Sequence, residues 1–194
     1  MEHPETQDTR TDDDLVRAYR SGDAAALTLL IDRYLDTIYT FAYRMTNRKE
    51  DAEDIAQDTF VKVWRTIGRY KLTGTFKPWV FAIARNTAID RLRKKRIAVF
   101  SDFEDREGRN VLIETLGDPE TLPATLIEKA EQKGLLEKSL AELSPGDREI
   151  LSLHYGEEMT FDTIGTILKK PLNTVKSRHR RALEKLRIYL EKFE

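Results

Sequence analysis

The sequence predicts an all-α protein, two small helical domains joined by an acidic extended linker, the C-terminal one carrying a helix-turn-helix. Three observations predict this. Apolar residues recur at steps of three and four through most of the chain, as one buried helical face requires. The periodicity lapses over residues 98–130, where Gly108, Gly117, Pro119 and Pro123 stand among acids. Near the C-terminus two helical segments are separated by a short turn, and the first exposed turns of the second are basic. With 194 residues the chain has room for one ordinary domain or two small ones.

The expected first domain spans residues 10–97. Leu27, Leu30, Tyr34, Ile38, Phe41 and Met45 draw one buried stripe, and Asn47 is a C-terminal stop signal. In the next helix Ala52, Ile55, Ala56, Thr59, Phe60, Val63, Trp64 and Ile67 form a continuous apolar stripe that Gly68 ends. Arg69 to Lys77 read as a loop, and Pro78 then takes a favourable first helical position. Trp79, Val80, Ile83, Ala84, Thr87, Ala88 and Leu92 carry a helix into a basic run.

Residues 98–130 form the expected linker and 131–194 the second domain. Leu135, Leu136, Leu140 and Leu143 mark a helix that stops at Ser144-Pro145-Gly146-Asp147. There Ser144 caps the next helix, Arg148 to Tyr155, with Pro145 in its first turn and Asp147 completing a box-like arrangement. Thr160 caps a helix holding Phe161, Ile164, Ile167 and Leu168. After the turn Lys170 to Asn173, Asn173 caps the last helix, Thr174 to about Leu190. Val175, Ala182, Leu183, Leu186 and Leu190 face inward there; Lys176, Ser177, Arg178, Arg180 and Arg181 face outward.

The 33 Lys plus Arg nearly balance the 34 Asp plus Glu, but the charges are segregated. Residues 1–14 carry six acids against one base, and residues 101–120 seven against two. Residues 85–96 carry six bases against one acid, and residues 169–187 eight against one. Two basic patches flanking an acidic connector suggest two polyanion-binding modules. The last helix suits a DNA major groove, about 12 Å wide, where Arg and Lys reach guanine edges while other bases meet phosphates; the alternative is a solvated basic helix. Tyr70, Phe76, Trp79 and Phe81 near a Gly-containing loop, beside Arg85, Asn86 and Arg93, have the aromatic and cationic chemistry that holds unstacked bases. Phe81 reads as core; for the loop and Asn86, core and binding readings stay open.

Glu50, Asp51, Glu53, Asp54 and Asp58 form an acidic face with no base among residues 50–58. It reads as a solvated face favouring the helix N-terminus, a surface for a basic protein, or, least well supported, a Mg²⁺ site at Asp54 and Asp58. The 35% charged content exceeds the roughly 25% usual in globular proteins. The absence of cysteine excludes disulfides, Cys-ligated metal sites and a thiol nucleophile. No stretch approaches the roughly 18 apolar residues of a membrane span, and the acidic N-terminus is unlike a signal peptide. A cytoplasmic chain without membrane insertion is expected.

The runs Asp51-Ala52-Glu53-Asp54-Ile55-Ala56-Gln57-Asp58-Thr59-Phe60-Val61-Lys62-Val63-Trp64 and Phe76-Lys77-Pro78-Trp79-Val80-Phe81-Ala82-Ile83-Ala84-Arg85-Asn86-Thr87-Ala88-Ile89-Asp90 closely resemble the promoter-melting domain of extracytoplasmic-function sigma factors, within the sigma-70 family. Leu143-Ser144-Pro145 through Thr174-Val175-Lys176-Ser177-Arg178 resembles their C-terminal domain. The resemblance implies an alternative sigma factor, without catalysis or cofactor of its own, that binds core RNA polymerase and directs transcription initiation. It implies that Asp54, Gln57, Asp58 and Val61 dock on the clamp helices of the polymerase's largest subunit, with other core subunits as further contacts. The minus-ten promoter element would meet Tyr70, Lys71, Thr75, Trp79, Arg85, Asn86 and Arg93. The minus-thirty-five element would meet Thr174, Lys176, Ser177, Arg178, Arg180 and Arg181. The acidic connector would thread the polymerase cleft, and an anti-sigma factor is an expected partner. Ala82 and Ile83 stand where housekeeping relatives carry a tryptophan pair, which implies weaker unassisted melting. Residue chemistry alone leaves two further readings open. One is a helix-turn-helix regulator with a sensory N-terminal domain. The other is a Mg²⁺-dependent phosphohydrolase or nuclease using the acids of residues 50–58, for which no general base or phosphate cradle is visible.

Overall fold

In the computed structural model, which describes residues 9–73, 75–100 and 134–191, the first helix begins on a cap that the periodicity did not reveal. Thr11 Oγ accepts from the Asp14 amide and the Asp14 carboxylate accepts from the Thr11 amide, each at 3.2 Å. This reciprocal box satisfies two otherwise orphaned donors and starts α1 (Asp12–Arg20). The acids of this segment are structural. Asp12 pairs with Arg33 at 2.6 Å and accepts from the Tyr34 hydroxyl, and Asp13 accepts from the Tyr70 hydroxyl at 3.0 Å.

Asp23 caps α2 (Ala24–Thr46), which Asn47 ends in the left-handed region at φ 54°, a conformation Asn tolerates better than most residues. The six stripe residues expected on α2 are all buried. α3 (Lys49–Thr66) starts with Glu50 and Asp51 in its first turn, favourable at the positive end of the helix dipole. It passes through a 3-10 turn, Ile67–Arg69, whose exit Arg20 holds by donating to the carbonyls of Ile67 and Tyr70. α4 (Phe76–Phe100) follows. α2 lies at the centre of these helices, and Phe41 meets Phe81 edge-on at 5.4 Å.

The C-terminal helices are α5 (Leu135–Glu142), α6 (Pro145–Leu151), α7 (Phe161–Leu168) and α8 (Leu172–Glu191). Between α6 and α7 the chain widens into a π turn, Ser152–Gly156, closed by Glu157 N donating to Ser152 O at 3.2 Å. Leu143, Leu151, Ala182, Leu183, Leu186 and Leu190 form a small core of their own. Ile150, Leu153, Met159, Ile164, Ile167, Leu168 and Val175 instead belong to the core that contains α1 to α4. The two groups of helices therefore share one apolar interior.

Several expectations need correction. Trp64 is not inward but 56% exposed, although Val63 and Ile67 of the same stripe are buried; it stands on the side of α3 that opens, with Val61, onto a groove beside α2. α4 begins at Phe76, two residues before the expected start, so Pro78 lies inside its first turn, where its missing N–H is harmless. The same helix continues through Phe100, past the expected domain end at 97; the rest of the linker, 101–130, lies outside the described residues. α8 begins at Leu172, so Asn173 sits within its first turn and does not cap it; the early amides of Thr174 and Val175 bond the Pro171 carbonyl instead. The helix expected over 148–155 is split into α6 and the π turn. Ser144 does cap α6, accepting from Asp147 N at 3.2 Å, but the Asp147 carboxylate turns to Lys185 at 2.7 Å.

Candidate nucleic-acid interface and docking groove

The helix-turn-helix is built by close backbone approach. Thr160 caps α7, and Lys169 ends it in the left-handed region at φ 53°. Lys170 N then donates to Gly165 O at 3.0 Å. A Cβ at Gly165 would lie 3.0 Å from the Lys170 carbonyl and 3.8 Å from Val175, so glycine lets the turn fold against α7. The buried stripe of α8 then leaves Thr174, Lys176, Ser177, Arg180 and Arg181 exposed on one face. Arg178 differs. Its side chain is half-buried, 3.8 Å from Asp147, and its guanidinium lies over Gly146, where a Cβ would come within 1.8 Å of it.

Sequence reasoning missed His179, which is buried on the inner face of α8. Its Nε2 lies 3.2 Å from the Tyr155 hydroxyl, and its ring meets His154 at 5.0 Å and Phe161 at 4.9 Å. Burial, assisted by His154, pushes its pKa from 6.5 down to about 4, so it stays neutral near pH 7. Two aromatics and two histidines thus fix the π turn against the helix-turn-helix.

The expected single-strand face divides into buried framework and exposed groups. Tyr70 is buried: its hydroxyl donates to Asp13 and accepts from Thr75 N at 3.1 Å, and its ring packs on Phe76 and Trp79 at 5.5 and 5.1 Å. It anchors the loop rather than offering an open stacking surface. Lys71 and Thr75 are exposed and Trp79 is half-buried. Asn86 and Arg93 are exposed, Arg93 pairing with Asp90 at 3.3 Å; Arg85 donates to Glu149 of α6 at 2.5 Å and to the Asn86 side-chain oxygen at 3.3 Å. Neighbouring Lys77 pairs with Glu157 at 3.2 Å and also donates to its carbonyl at 3.0 Å. Burial pushes the carboxyls of Glu149 and Glu157 up; Arg85 and Lys77 pull them back.

On α3 the acidic face also divides. Asp51 is buried and pairs with Arg91 at 2.8 Å, and Arg91 also donates to Asp54. Gln57 and Asp58 remain exposed. Gln57 and Val61 line an open groove of about 660 Å³ between α2 and α3, together with Ile31, Leu35, Tyr39, Phe60 and Trp64. Leu35, Val61 and Trp64 leave much of their apolar surface in water there. Sequence reasoning missed Leu35 and Tyr39; the signal lay in apolar residues of α2 that fall beside its buried stripe. Among the described residues no cluster of three or more metal-ligating side chains occurs, and no helix is long and apolar enough to cross a membrane.

Comparison with known proteins matches these two groups of helices separately. Residues 30–97 match the model of Sigma-70 region 2 and residues 139–187 that of Sigma-70 region 4. The ECF RNA polymerase sigma factor SigW of Bacillus subtilis is 32% identical over 174 residues, covering 89% of this chain and 92% of the relative. SigE of Mycolicibacterium smegmatis is 33% identical, covering 89% of this chain and 65% of the relative. The solved structure of CnrH in complex with the cytosolic domain of CnrY shares the fold, with a TM-score of 0.66 at 21% identity over 94% of this chain and 99% of that one. The RpoE sigma factor of Bartonella quintana, solved with the anti-sigma factor NepR, gives 0.62 at 24% over 84% and 93%. The region 2 and region 4 matches, in that order on one chain, together with 32% identity to SigW along nearly its whole length, place the chain in the extracytoplasmic-function subgroup of the sigma-70 family, as an alternative sigma factor that directs promoter recognition and transcription initiation with RNA polymerase.

Proposed function

We propose that the division of labour within this sigma factor follows the three exposed surfaces. The groove between α2 and α3, with Gln57 and Val61 in its lining and Asp58 and Asp54 on the same helix, docks the clamp helices of the polymerase's largest subunit. Apolar groups at its centre supply most of the binding and the carboxylates choose a basic partner. Lys71, Thr75, Trp79, Asn86 and Arg93 hold the minus-ten element, with Tyr70 fixing their loop and Arg85 joining them when free. Thr174, Lys176, Ser177, Arg180 and Arg181 enter the major groove at the minus-thirty-five element, with Arg178 released from Asp147 to join them. Residues 10–97 and 131–194 act as the two promoter-binding domains, and 98–130 as the tether.

The observation that carries this reading is the coexistence, among the described residues, of an open apolar groove and an exposed basic face on the last helix. A helix-turn-helix regulator acting alone has no need of the groove, and a phosphohydrolase has no need of either. The protein works in the cytoplasm, with no catalysis of its own, and an anti-sigma factor is its natural inhibitor. Run-off transcription with purified core polymerase tests the assignment. Added protein should give a discrete transcript, and Asp58→Arg should abolish both the transcript and co-elution with core. A transcript that persists with Asp58→Arg would remove the docking site from α3.

A further inference from the structure

We propose that the cleft between α2 and the α5–α6 pair is a small-molecule site, in which Arg44 and Arg148 take the phosphate of a phosphate monoester and Tyr43, Leu136 and Leu140 take its apolar body. The inference goes beyond the promoter and polymerase readings and rests on neither.

Side chains from both groups of helices build the cleft. α2 contributes Thr40, Tyr43 and Arg44, α5 contributes Leu136 and Leu140, and α6 contributes Arg148, around a volume of about 410 Å³. Proteins hold small organic ligands in cavities of roughly 300–1,000 Å³, with apolar walls and a few placed polar groups. Spacing explains how α2 serves the site. Thr40, Tyr43, Arg44 and Asn47 recur at steps of three and four and so share one side of the helix, next to the stripe that buries Phe41 and Met45 in the core.

The two cations set the charge of the ligand. The Arg148 Nε is buried without a hydrogen-bond partner, and burial pushes this guanidinium below its ordinary pKa with no carboxylate acting against it. Arg44 reaches the Ser152 hydroxyl at 3.4 Å, and the nearby Glu157, which its charge also touches, is already paired with Lys77 at 3.2 Å. Among the described residues neither arginine forms an ion pair. Glu137 stands on the rim of the cleft but is exposed, where water and salt screen its charge.

Water in the cleft would satisfy the Arg148 N–H yet leave two half-buried positive charges uncompensated. A phosphate monoester, close to dianionic at pH 7, answers both needs, because its oxygens accept from two forked guanidiniums at once. A carboxylate brings a single charge. Inorganic phosphate brings the charge but leaves the apolar walls wet.

The test uses the full chain without polymerase or DNA. Phenyl phosphate is the probe, with inorganic phosphate and benzoate beside it. Isothermal titration calorimetry should find one saturable site for phenyl phosphate, and each of the other two anions should bind about tenfold more weakly or worse. Arg148→Met should weaken phenyl phosphate by about tenfold or more, as loss of a charge-assisted hydrogen bond does. Should circular dichroism find that variant unfolded, Thr40→Phe, which fills the cleft and keeps both arginines, should produce the same loss. Absence of saturable binding overturns the site. So does binding that survives the substitution in a folded variant, since it then belongs to the exposed basic faces of the chain. Equal affinity for phenyl phosphate and inorganic phosphate, or for phenyl phosphate and benzoate, overturns the ligand class.

Discussion

The N-terminal helices enclose a core, whereas the C-terminal helices enclose only part of one. α2, with 23 residues, runs the length of its body and buries eight side chains against α1, α3 and α4. α5, α6 and α7 have seven or eight residues each, too few turns to surround an interior, and their shortfall is made up by caps, ring stacking and the neighbouring body. The difference teaches how one chain can combine a helical body that encloses its own core with a basic helix-turn-helix that leans on it. Long helices stabilise through packing, short ones through local hydrogen bonds and borrowed apolar surface.

Four perturbations break or sharpen this contrast. Phe41→Ala removes a fully buried ring from the platform and its edge contact with Phe81; it should cost about 3–5 kcal/mol in chemical denaturation. A much smaller loss would mean that the platform does not depend on its central helix. The C-terminal helices should respond to acid instead. The His179 pKa is depressed in the fold, so its contribution is whole above pH 6.5 and is lost as pH falls toward about 4, at most about 3 kcal/mol. Thermal melts across that window should show the loss, and His179→Leu should flatten it. On the platform's open groove, Trp64→Ala should weaken binding to core polymerase by about 2 kcal/mol, as an aromatic anchor does, while leaving the fold nearly untouched because the ring is largely exposed. Equal affinity by titration would remove Trp64 from the docking surface. Smallest of all, Ser144→Ala deletes the α6 cap and should cost about 1 kcal/mol, read as a small shift in the melting of the C-terminal helices.

Much of this architecture was legible in residue order. The stripe from Leu27 to Met45, the stop at Asn47, the caps at Ser144 and Thr160 and the buried row from Val175 to Leu190 are local signals, and local hydrogen bonding with helical period suffices to produce them. The miss at Trp64 has an equally simple cause: periodicity gives the direction of a side chain, not whether a neighbouring helix reaches far enough to cover it. The α1 cap was overlooked because Thr11 and Asp14 lie within an acidic stretch, where composition masks the pairing.

The exposed basic face of α8 and the acidic surface of α3 were therefore set by the sequence alone, since a helix dictates which of its own residues share a side. Which charges are free was decided only by tertiary structure. Arg85, Arg91 and Arg178 are the same residue in composition and periodicity, yet the fold pairs them with Glu149, Asp51 and Asp147, while Arg181 is left exposed to solvent. A Coulomb partner from 40 or 64 positions away leaves no periodic trace in the chain, because attraction depends on distance in space and not on separation in sequence.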